Sequence, residues 1–168
     1  MKNLSRYNKG VKYLLTFVDV LSKYAWVVPM KNKTGAEQKR AFESILKEGR
    51  KPLRLQTDKG SEFYNKSFQE YLKQQKINHF NTQRDTKASV VERFNKTLKQ
   101  RLYRALTANA TVKYLDFLPD LVEGYNASVH NATGVAPKNV TMYNDEKVWK
   151  KLYSKKLFGA SVKVESLP

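Results

Sequence analysis

The order of apolar and polar positions along the chain predicts alternating strands and helices. Stretches rich in β-branched and aromatic residues indicate strands, and apolar residues that recur every three or four positions indicate helices. The predicted strands are residues 11–20, 24–30, 52–57 and 77–81, and the predicted helices are residues 35–48, 65–75, 89–107 and 112–130. Two paired strands followed by alternating helix and strand predict an α/β fold with a mixed sheet and helices packed on it.

Proline, glycine and capping residues set several of these boundaries. Thr34 and Glu37 have the spacing of a capping box, and Gly49 ends the helical pattern that follows them. Pro29 ends the second strand or places it near a sheet edge, because proline cannot donate a backbone hydrogen bond. Pro119 is expected to kink or split the last helix.

Two segments carry candidate chemistry. Asp58 directly follows the strand at 52–57, where open α/β sheets place their active sites, although Asp-Lys-Gly is equally the sequence of a simple turn. Residues 82–89 are polar, show no apolar periodicity and predict a mobile loop. The helix that follows this loop would bring its first turn close to the same region.

The helix over 89–107 has one apolar face, formed by Val91, Phe94, Leu98 and Leu102. Glu92, Lys96 and Lys99 cluster on another face, with Asn95 at the boundary. A helix face exposed to solvent, with an ion pair between Glu92 and Lys96, would show the same cluster of charged residues. The position after a polar loop favours a different interpretation, in which the carboxylate faces a cleft and the lysines follow a phosphate backbone.

Composition narrows the class of partner. The 168 residues include 32 Lys and Arg against 15 Asp and Glu, a formal net charge of +17, and 40% are hydrophobic. A folded domain with this charge attracts polyanions, most often nucleic acid and less often an anionic membrane, unless the charge only solubilises the surface. The absence of cysteine excludes disulfides, a thiol nucleophile and Cys-containing zinc sites. With neither a signal peptide nor an apolar span, we expect an intracellular, nuclear protein without a membrane partner.

Asp58 and Glu92 together are suited to Mg²⁺, which prefers hard oxygen ligands and needs neither sulfur nor imidazole. Two such ions about 4 Å apart activate an attacking oxygen and stabilise the leaving oxygen of a phosphodiester. The remaining ligand positions would be filled by water and phosphate oxygens.

Several segments in combination strongly resemble the catalytic core of retroviral and retrotransposon integrases. They are Thr57-Asp-Lys-Gly-Ser-Glu-Phe63, Lys87-Ala-Ser-Val-Val-Glu-Arg-Phe-Asn-Lys-Thr-Leu-Lys99, and Tyr125-Asn-Ala-Ser-Val-His130 with Pro137. Phe17-Val-Asp-Val-Leu-Ser-Lys-Tyr-Ala-Trp26 and Lys31-Asn-Lys-Thr-Gly35 are similar to segments of Polinton/Maverick-type transposon integrases in particular. The resemblance covers roughly residues 7–140.

The resemblance implies a ribonuclease-H-like fold, dependence on Mg²⁺ or Mn²⁺, 3′-end processing and strand transfer into target DNA. Asp58 and Glu92 match the second and third acids of the family's catalytic triad, with thirty-three residues between them. Asn95, Lys96 and Lys99 match the helix face that contacts donor DNA, and residues 82–89 match the mobile active-site loop. Family members assemble as multimers on DNA, so we expect a homo-oligomer bound to transposon ends and target DNA.

The first acid of the triad is not evident. Asp19 is followed by only one strand before the predicted helix cap at Thr34, whereas the family fold has two strands after its first acid. Asp19 therefore resembles the family's second-strand position, and the first strand with its acid would lie upstream of Met1. On this interpretation residues 1–140 form an N-terminally truncated core, and residues 141–168 form a basic extension that could begin a further small domain. A catalytic Asp19 is the alternative.

Two main hypotheses for function follow. The first is a polynucleotidyl transferase core, impaired or inactive in this chain because two carboxylates hold a metal pair weakly. The second is a catalytically dead module for DNA binding or assembly, derived from a transposon integrase. A ribonuclease-H-type nuclease is a third interpretation, disfavoured by the integrase-like spacing after Glu92. His130 is interpreted as a structural residue at the end of a helix.

Overall fold

The computed structural model describes residues 2–58, 60, 63–81 and 89–158, except for the side chains of residues 2, 89 and 155–158. The predicted loop over 82–89 therefore lies outside the described residues, apart from Ser89 at its end. Residues 159–168 of the predicted basic extension also lie outside them. No helix among the described residues has the length and apolar character needed to cross a bilayer.

Among the described residues, four strands form two pairs. Strand β1 (Tyr13–Val18) runs antiparallel to β2 (Ala25–Met30), and β3 (Arg54–Thr57) runs parallel to β4 (Asn78–Asn81). All four predicted strands are confirmed, with shorter ends. Pro29 lies within β2, opposite Leu14. Within the described residues β2 has β1 as its one strand neighbour. The missing N–H of Pro29 therefore breaks no hydrogen bond to a further strand.

The part of the chain that the structure describes also contains five α-helices. They are α1 (Gly35–Leu46), α2 (Lys66–Gln74), α3 (Ser89–Ala108), α4 (Leu118–Ala127) and α5 (Asp145–Phe158). The hydroxyl of Thr34 accepts a hydrogen bond from the Glu37 amide at the start of α1, as the capping spacing predicts. The Glu37 carboxylate accepts from the amides of Lys31 and Asn32, so the second half of the box is shifted upstream.

The last predicted helix is split, as Pro119 indicated. A 3-10 turn at Tyr114–Asp116 precedes α4, and Pro119 lies in the first turn of α4. The missing N–H of proline breaks no helical hydrogen bond at that position, so the residue begins a helix instead of kinking one.

Two apolar clusters hold the elements together. The larger cluster packs α3 and α4 against β1 and β2 through Val11, Ala25, Phe94, Leu98, Leu102, Leu106, Tyr114 and Leu118. The smaller packs α1 and α2 against β3 through Phe42, Leu55, Phe68, Leu72 and Ile77. Burying each Phe or Leu side chain contributes about 1.5–3 kcal/mol. The predicted apolar face of α3 is confirmed, with Phe94, Leu98 and Leu102 buried and Val91 partly exposed.

A groove of about 1690 Å³ runs between the two strand pairs. Its walls are β1, β3, the inner side of α1 and α3 as far as Tyr103. Within the described residues β1 pairs with β2 alone and β3 with β4 alone, so the groove separates the two small sheets. This groove contains the candidate site.

Candidate active site

Asp58 lies at the carboxyl end of β3 and lines the groove. Its Oδ1 atom accepts a hydrogen bond of 3.2 Å from the amide of Gly60, and its backbone carbonyl accepts one of 2.9 Å from the Thr57 hydroxyl. Asp58 thus forms the turn that its sequence also allows. The Asp58 side chain, including its other carboxylate oxygen, Oδ2, is exposed at the groove.

Glu92 enters the same groove from α3. Its side chain is exposed in the first turn of that helix, while Phe94 and Leu98 on the other side are buried. The groove brings Asp58, Glu92, Asn95 and Lys99 together, although thirty-three residues separate the two acids. Lys96 is exposed on α3 and is not part of the groove wall.

The charged face of α3 lacks the Glu92–Lys96 ion pair that a helix face with no role beyond solvent exposure would show. Helical pairs of this spacing occur at Lys39–Glu43, Lys66–Glu70 and Lys150–Glu146. Glu92 and Lys96, both among the described residues, form no salt bridge with each other. The Glu92 carboxylate is therefore not tied to the lysine one turn later.

Asp19 is engaged in the turn between β1 and β2. Its carboxylate accepts hydrogen bonds of 3.2 Å from the amides of Leu21 and Ser22, and a further one from the Ser22 hydroxyl. Burial lowers the pKa of Lys23 in the same turn, and the charge of Asp19 partly opposes that shift. These contacts favour a structural role for Asp19, because its carboxylate closes the turn that joins the two strands.

His130 closes the turn after α4. Its carbonyl accepts from the amides of Thr133 and Gly134, and its Nδ1 accepts from the Ala132 amide at 3.2 Å. The ring meets Tyr125 edge-on at 6.4 Å. Burial lowers the pKa of His130, and Lys23 and Arg93 shift it in the same direction. These contacts favour the structural interpretation of His130.

His79 on β4, which no motif in the sequence singles out, contacts Thr57, the residue before Asp58. Its Nε2 is 2.8 Å from the Thr57 hydroxyl and its Nδ1 is 2.7 Å from Nε2 of Gln69. Burial lowers the pKa of His79. The alternation of β4 places Ile77 and His79 on one face, which is a signal for a half-buried histidine, but the identity of its partners depends on how α2 packs.

The carboxylates at the groove have the chemistry that Mg²⁺ or Mn²⁺ requires. Asp58 and Glu92 are both exposed to the groove, come from different elements and would meet a metal with oxygen ligands. Across residues 2–58, 60, 63–81 and 89–158, no group of three acidic or histidine side chains is arranged to hold a metal. Asp58 and Glu92 are therefore the type of ligand that Mg²⁺ or Mn²⁺ prefers, but they supply two carboxylates and not the three of the family's catalytic triad.

A family model described as integrase core domain matches residues 4–87, which is half of the chain. The chain belongs to the integrase core domain family. Asp58 lies inside the matched residues and Glu92 lies five residues beyond them. The integrase family predicted from the sequence is thus confirmed.

Curated relatives of this integrase core come from transposons. An uncharacterized transposon-derived protein of Caenorhabditis elegans is 37% identical over 141 residues, which are 82% of this chain and 49% of that protein. A retrovirus-related Pol polyprotein from a transposon of Nicotiana tabacum is 34% identical over 98 residues, 55% of this chain and 7% of the polyprotein. The chain spans about half the length of the nematode relative and a small part of the polyprotein.

Solved structures confirm the predicted ribonuclease-H-like α/β fold. The catalytic core of HTLV-2 integrase in complex with magnesium, in a trimeric form, matches with a TM-score of 0.68 and 26% identity over 76% of this chain and 82% of that chain. The core of BIV integrase matches with a TM-score of 0.64 over 81% of this chain and 89% of that one, and at 18% identity it supports the fold alone.

Proposed function

We propose that this integrase core is a metal-dependent polynucleotidyl transferase that processes the 3′ ends of transposon DNA and joins them to target DNA. The observation that carries the proposal is the groove, which is lined both by Asp58 at the end of β3 and by Glu92 in the first turn of α3. The similarity to an integrase core solved with magnesium supports the choice of metal.

The proposed roles follow from position. Asp58 and Glu92 would hold Mg²⁺ or Mn²⁺, which when bound supplies activation of the attacking oxygen and stabilisation of the leaving oxygen. Asn95 and Lys99 line the groove beside them and would hold the donor strand. Lys96 lies outside the groove wall, so its proposed contact is with the DNA backbone next to the site.

The groove is also where we propose that the first strand of the family fold belongs. It is bordered by β1 on one side and β3 on the other, and its lining includes Leu15, Phe17 and Phe42. A strand placed there could bring a third carboxylate to Asp58 and Glu92. Asp19 also lines this groove, but its carboxylate accepts three hydrogen bonds within its own turn, so we propose that the third ligand comes from such a strand and not from Asp19.

A strand-transfer assay on short duplex ends tests the proposal. Adding Mn²⁺ or Mg²⁺ should produce joined products, and Glu92→Gln and Asp58→Asn should each lower the rate on the order of a thousandfold, because each removes a metal ligand worth several kcal/mol. Glu70→Gln is the matched control, since Glu70 is an exposed carboxylate on α2 that pairs only weakly with Lys66 at 3.9 Å. Full activity of Glu92→Gln would overturn the assignment.

A second candidate is a catalytically inactive DNA-binding or assembly module. It is favoured by the absence of a three-ligand metal group among the described residues. Filter binding across a salt series would show a steep loss of affinity if several phosphates are contacted. Tight, salt-dependent binding without metal-dependent joining would support this candidate over the transferase.

The remaining proposals concern context. We propose transposon ends and target DNA as partners, assembly as a homo-oligomer on DNA, a nuclear location and an origin in Polinton/Maverick-type elements. The dimeric and trimeric forms of the HTLV-2 core support oligomer formation as the expectation. Sedimentation of the protein with and without a duplex DNA end would measure its oligomeric state.

A further inference from the structure

We propose that His79 is a positioning residue for Asp58, acting through the Thr57 hydroxyl. This inference rests on the proposed function, because it assigns His79 a role at the same metal-ligand site. Three polar side chains form the network: Gln69 on α2, His79 on β4 and Thr57 on β3.

The direction of every hydrogen bond in this network follows from chemistry. Gln69 Nε2 lies 2.6 Å from the carbonyl oxygen of Phe63, which can only accept, so this atom is the amide nitrogen. Its second hydrogen then points to Nδ1 of His79 at 2.7 Å, and Nδ1 must be the unprotonated ring nitrogen. The proton of the neutral ring is therefore on Nε2.

The chain of donors continues to the backbone of Asp58. Nε2–H of His79 donates to the Thr57 hydroxyl at 2.8 Å, and that hydroxyl donates its own hydrogen to the Asp58 carbonyl at 2.9 Å. A proton on Nδ1 would place two N–H groups against each other at Gln69. The network thus requires the neutral ring, and burial lowers the pKa of His79 accordingly.

The network ends at two backbone carbonyls, that of Asp58 and that of Phe63. Asp58 and Phe63 are therefore both linked through hydrogen bonds to side chains of β4 and α2. The ring of His79 also packs on the ring of Tyr64, with 4.9 Å between the ring centres. The Tyr64 hydroxyl accepts a hydrogen bond from the side-chain amide of Asn81. The direction in which the chain leaves β3 at Asp58 is therefore set by side chains other than the two proposed metal ligands.

Two substitutions at Thr57 separate positioning from simple packing. Thr57→Val keeps the β-branched shape that suits a strand but removes the hydroxyl, whereas Thr57→Ser keeps the hydroxyl. Groups that orient a metal ligand typically change metal affinity by 10–100-fold when removed. We expect Thr57→Val and His79→Ala to weaken Mn²⁺ binding about tenfold, and Thr57→Ser to bind Mn²⁺ like the unmodified chain.

The readout is Mn²⁺ binding measured from the free-ion signal in electron paramagnetic resonance, with strand transfer followed in parallel. Thr111→Val is the matched control, because the Thr111 hydroxyl is likewise hydrogen-bonded to the backbone, as the acceptor from the Lys113 amide, but lies outside the groove wall. Nitrogen-15 shifts of the His79 ring report the tautomer without any metal.

The outcomes separate this inference from the proposed function. Weaker Mn²⁺ binding in Thr57→Val, recovery in Thr57→Ser and a proton on Nε2 support the inference, even if no strand transfer is detected and the transferase proposal fails. Unchanged Mn²⁺ binding in Thr57→Val, a proton on Nδ1, or an equal loss in Thr111→Val would overturn it. Failure of the unmodified chain to bind Mn²⁺ would overturn both.

Discussion

The side chain of Asn126 pairs with both backbone polar groups of Ala25. Its Oδ1 accepts from the Ala25 amide at 2.9 Å and its Nδ2 donates to the Ala25 carbonyl at 2.9 Å, with both residues buried. The contact joins α4 to the first residue of β2 across 101 positions of sequence. Asn126 belongs to the segment that resembles integrases through Tyr125-Asn-Ala-Ser-Val-His130.

Asn126→Ala should destabilise the fold by about 2–4 kcal/mol, because it leaves a buried N–H and a buried C=O of Ala25 without partners. The measurement is the free energy of unfolding from urea titration. Asn109→Ala is the control, since the Asn109 amide donates only to an exposed helical carbonyl, that of Ala105. Equal, small losses in the two variants would contradict the importance of the Asn126 contact.

Lys99 and Lys96 should differ in their effect on DNA processing. Each of Lys99→Gln and Lys96→Gln should lower the slope of log affinity against log salt by about one if each lysine contacts a phosphate. Lys99 lines the groove with Tyr103, so its loss should also slow strand transfer at saturating DNA, whereas loss of Lys96 should act through binding alone. Lys113→Gln, an exposed change outside the groove wall, should leave both quantities unchanged.

Binding measured in four or more salt concentrations would supply the slopes. A slope that stays the same in both variants would show that neither lysine contacts a phosphate. Slower transfer in Lys96→Gln than in Lys99→Gln at saturating DNA would contradict the placement of the donor strand along the groove.

Gly35→Ala should be destabilising for a reason that lies in another helix. A Cβ atom at Gly35 would collide with the side chain of Asn65, which caps α2 by accepting from the Phe68 amide at 3.0 Å. Loss of such a cap costs about 1 kcal/mol. In the Asn65→Ala background the collision is gone, so Gly35→Ala should then be neutral or stabilising.

Urea unfolding of the two single variants and the double variant gives the coupling energy. Gly124→Ala is the matched control, because a Cβ atom there has its nearest neighbour, an Arg101 nitrogen, at 4.0 Å. Alanine in that helix interior should stabilise by about 0.5–1 kcal/mol. Additive effects of Gly35→Ala and Asn65→Ala would exclude the proposed collision.

The fold should lose stability in mild acid. Burial lowers the pKa of both His79 and His130, so the unfolded chain binds protons more readily than the folded chain below about pH 6.5. The folded state keeps its full advantage above that pH and loses it as the pH falls toward the lowered pKa values. His130→Asn should reduce the loss, because an amide oxygen can replace Nδ1 as acceptor for Ala132 without titrating.

Unfolding midpoints in urea at about pH 7.5 and about pH 5.5 give the comparison. The difference between the two midpoints should be smaller in His130→Asn than in the unmodified chain. An identical difference would indicate that the folded and unfolded chains bind protons equally at His130.

The predicted strands and most predicted helices are found because each rests on a local signal. The capping oxygen of Thr34 and the apolar spacing of Phe94, Leu98 and Leu102 act within one or two turns of chain, so the pattern alone carries them. The position of Asp58 at the end of β3 follows in the same way. The C-terminal end of β1 lies two residues before the predicted end because the Asp19 side chain begins a turn there with its own hydrogen bonds.

Contacts between distant residues were beyond local reasoning. Nothing near His79 in the sequence indicates that Gln69 and Thr57 are its partners, since that depends on how α2 packs against β3 and β4. Likewise helical spacing alone left open a Glu92–Lys96 ion pair as the alternative interpretation, and only the packed structure shows that these two described side chains form no salt bridge with each other.

The sequence by itself determined the α/β class, the basic character and the two acids at 58 and 92, because periodicity, charge and motif spacing are properties of the chain. Only the tertiary structure decided that Asp58 and Glu92 share one groove with Lys99 but not with Lys96. It also decided that Asp19 serves its own turn and that His79 faces the backbone of Asp58. These outcomes depend on the packing of helices against separate strand pairs, which brings together residues whose separation in sequence carries no signal of contact.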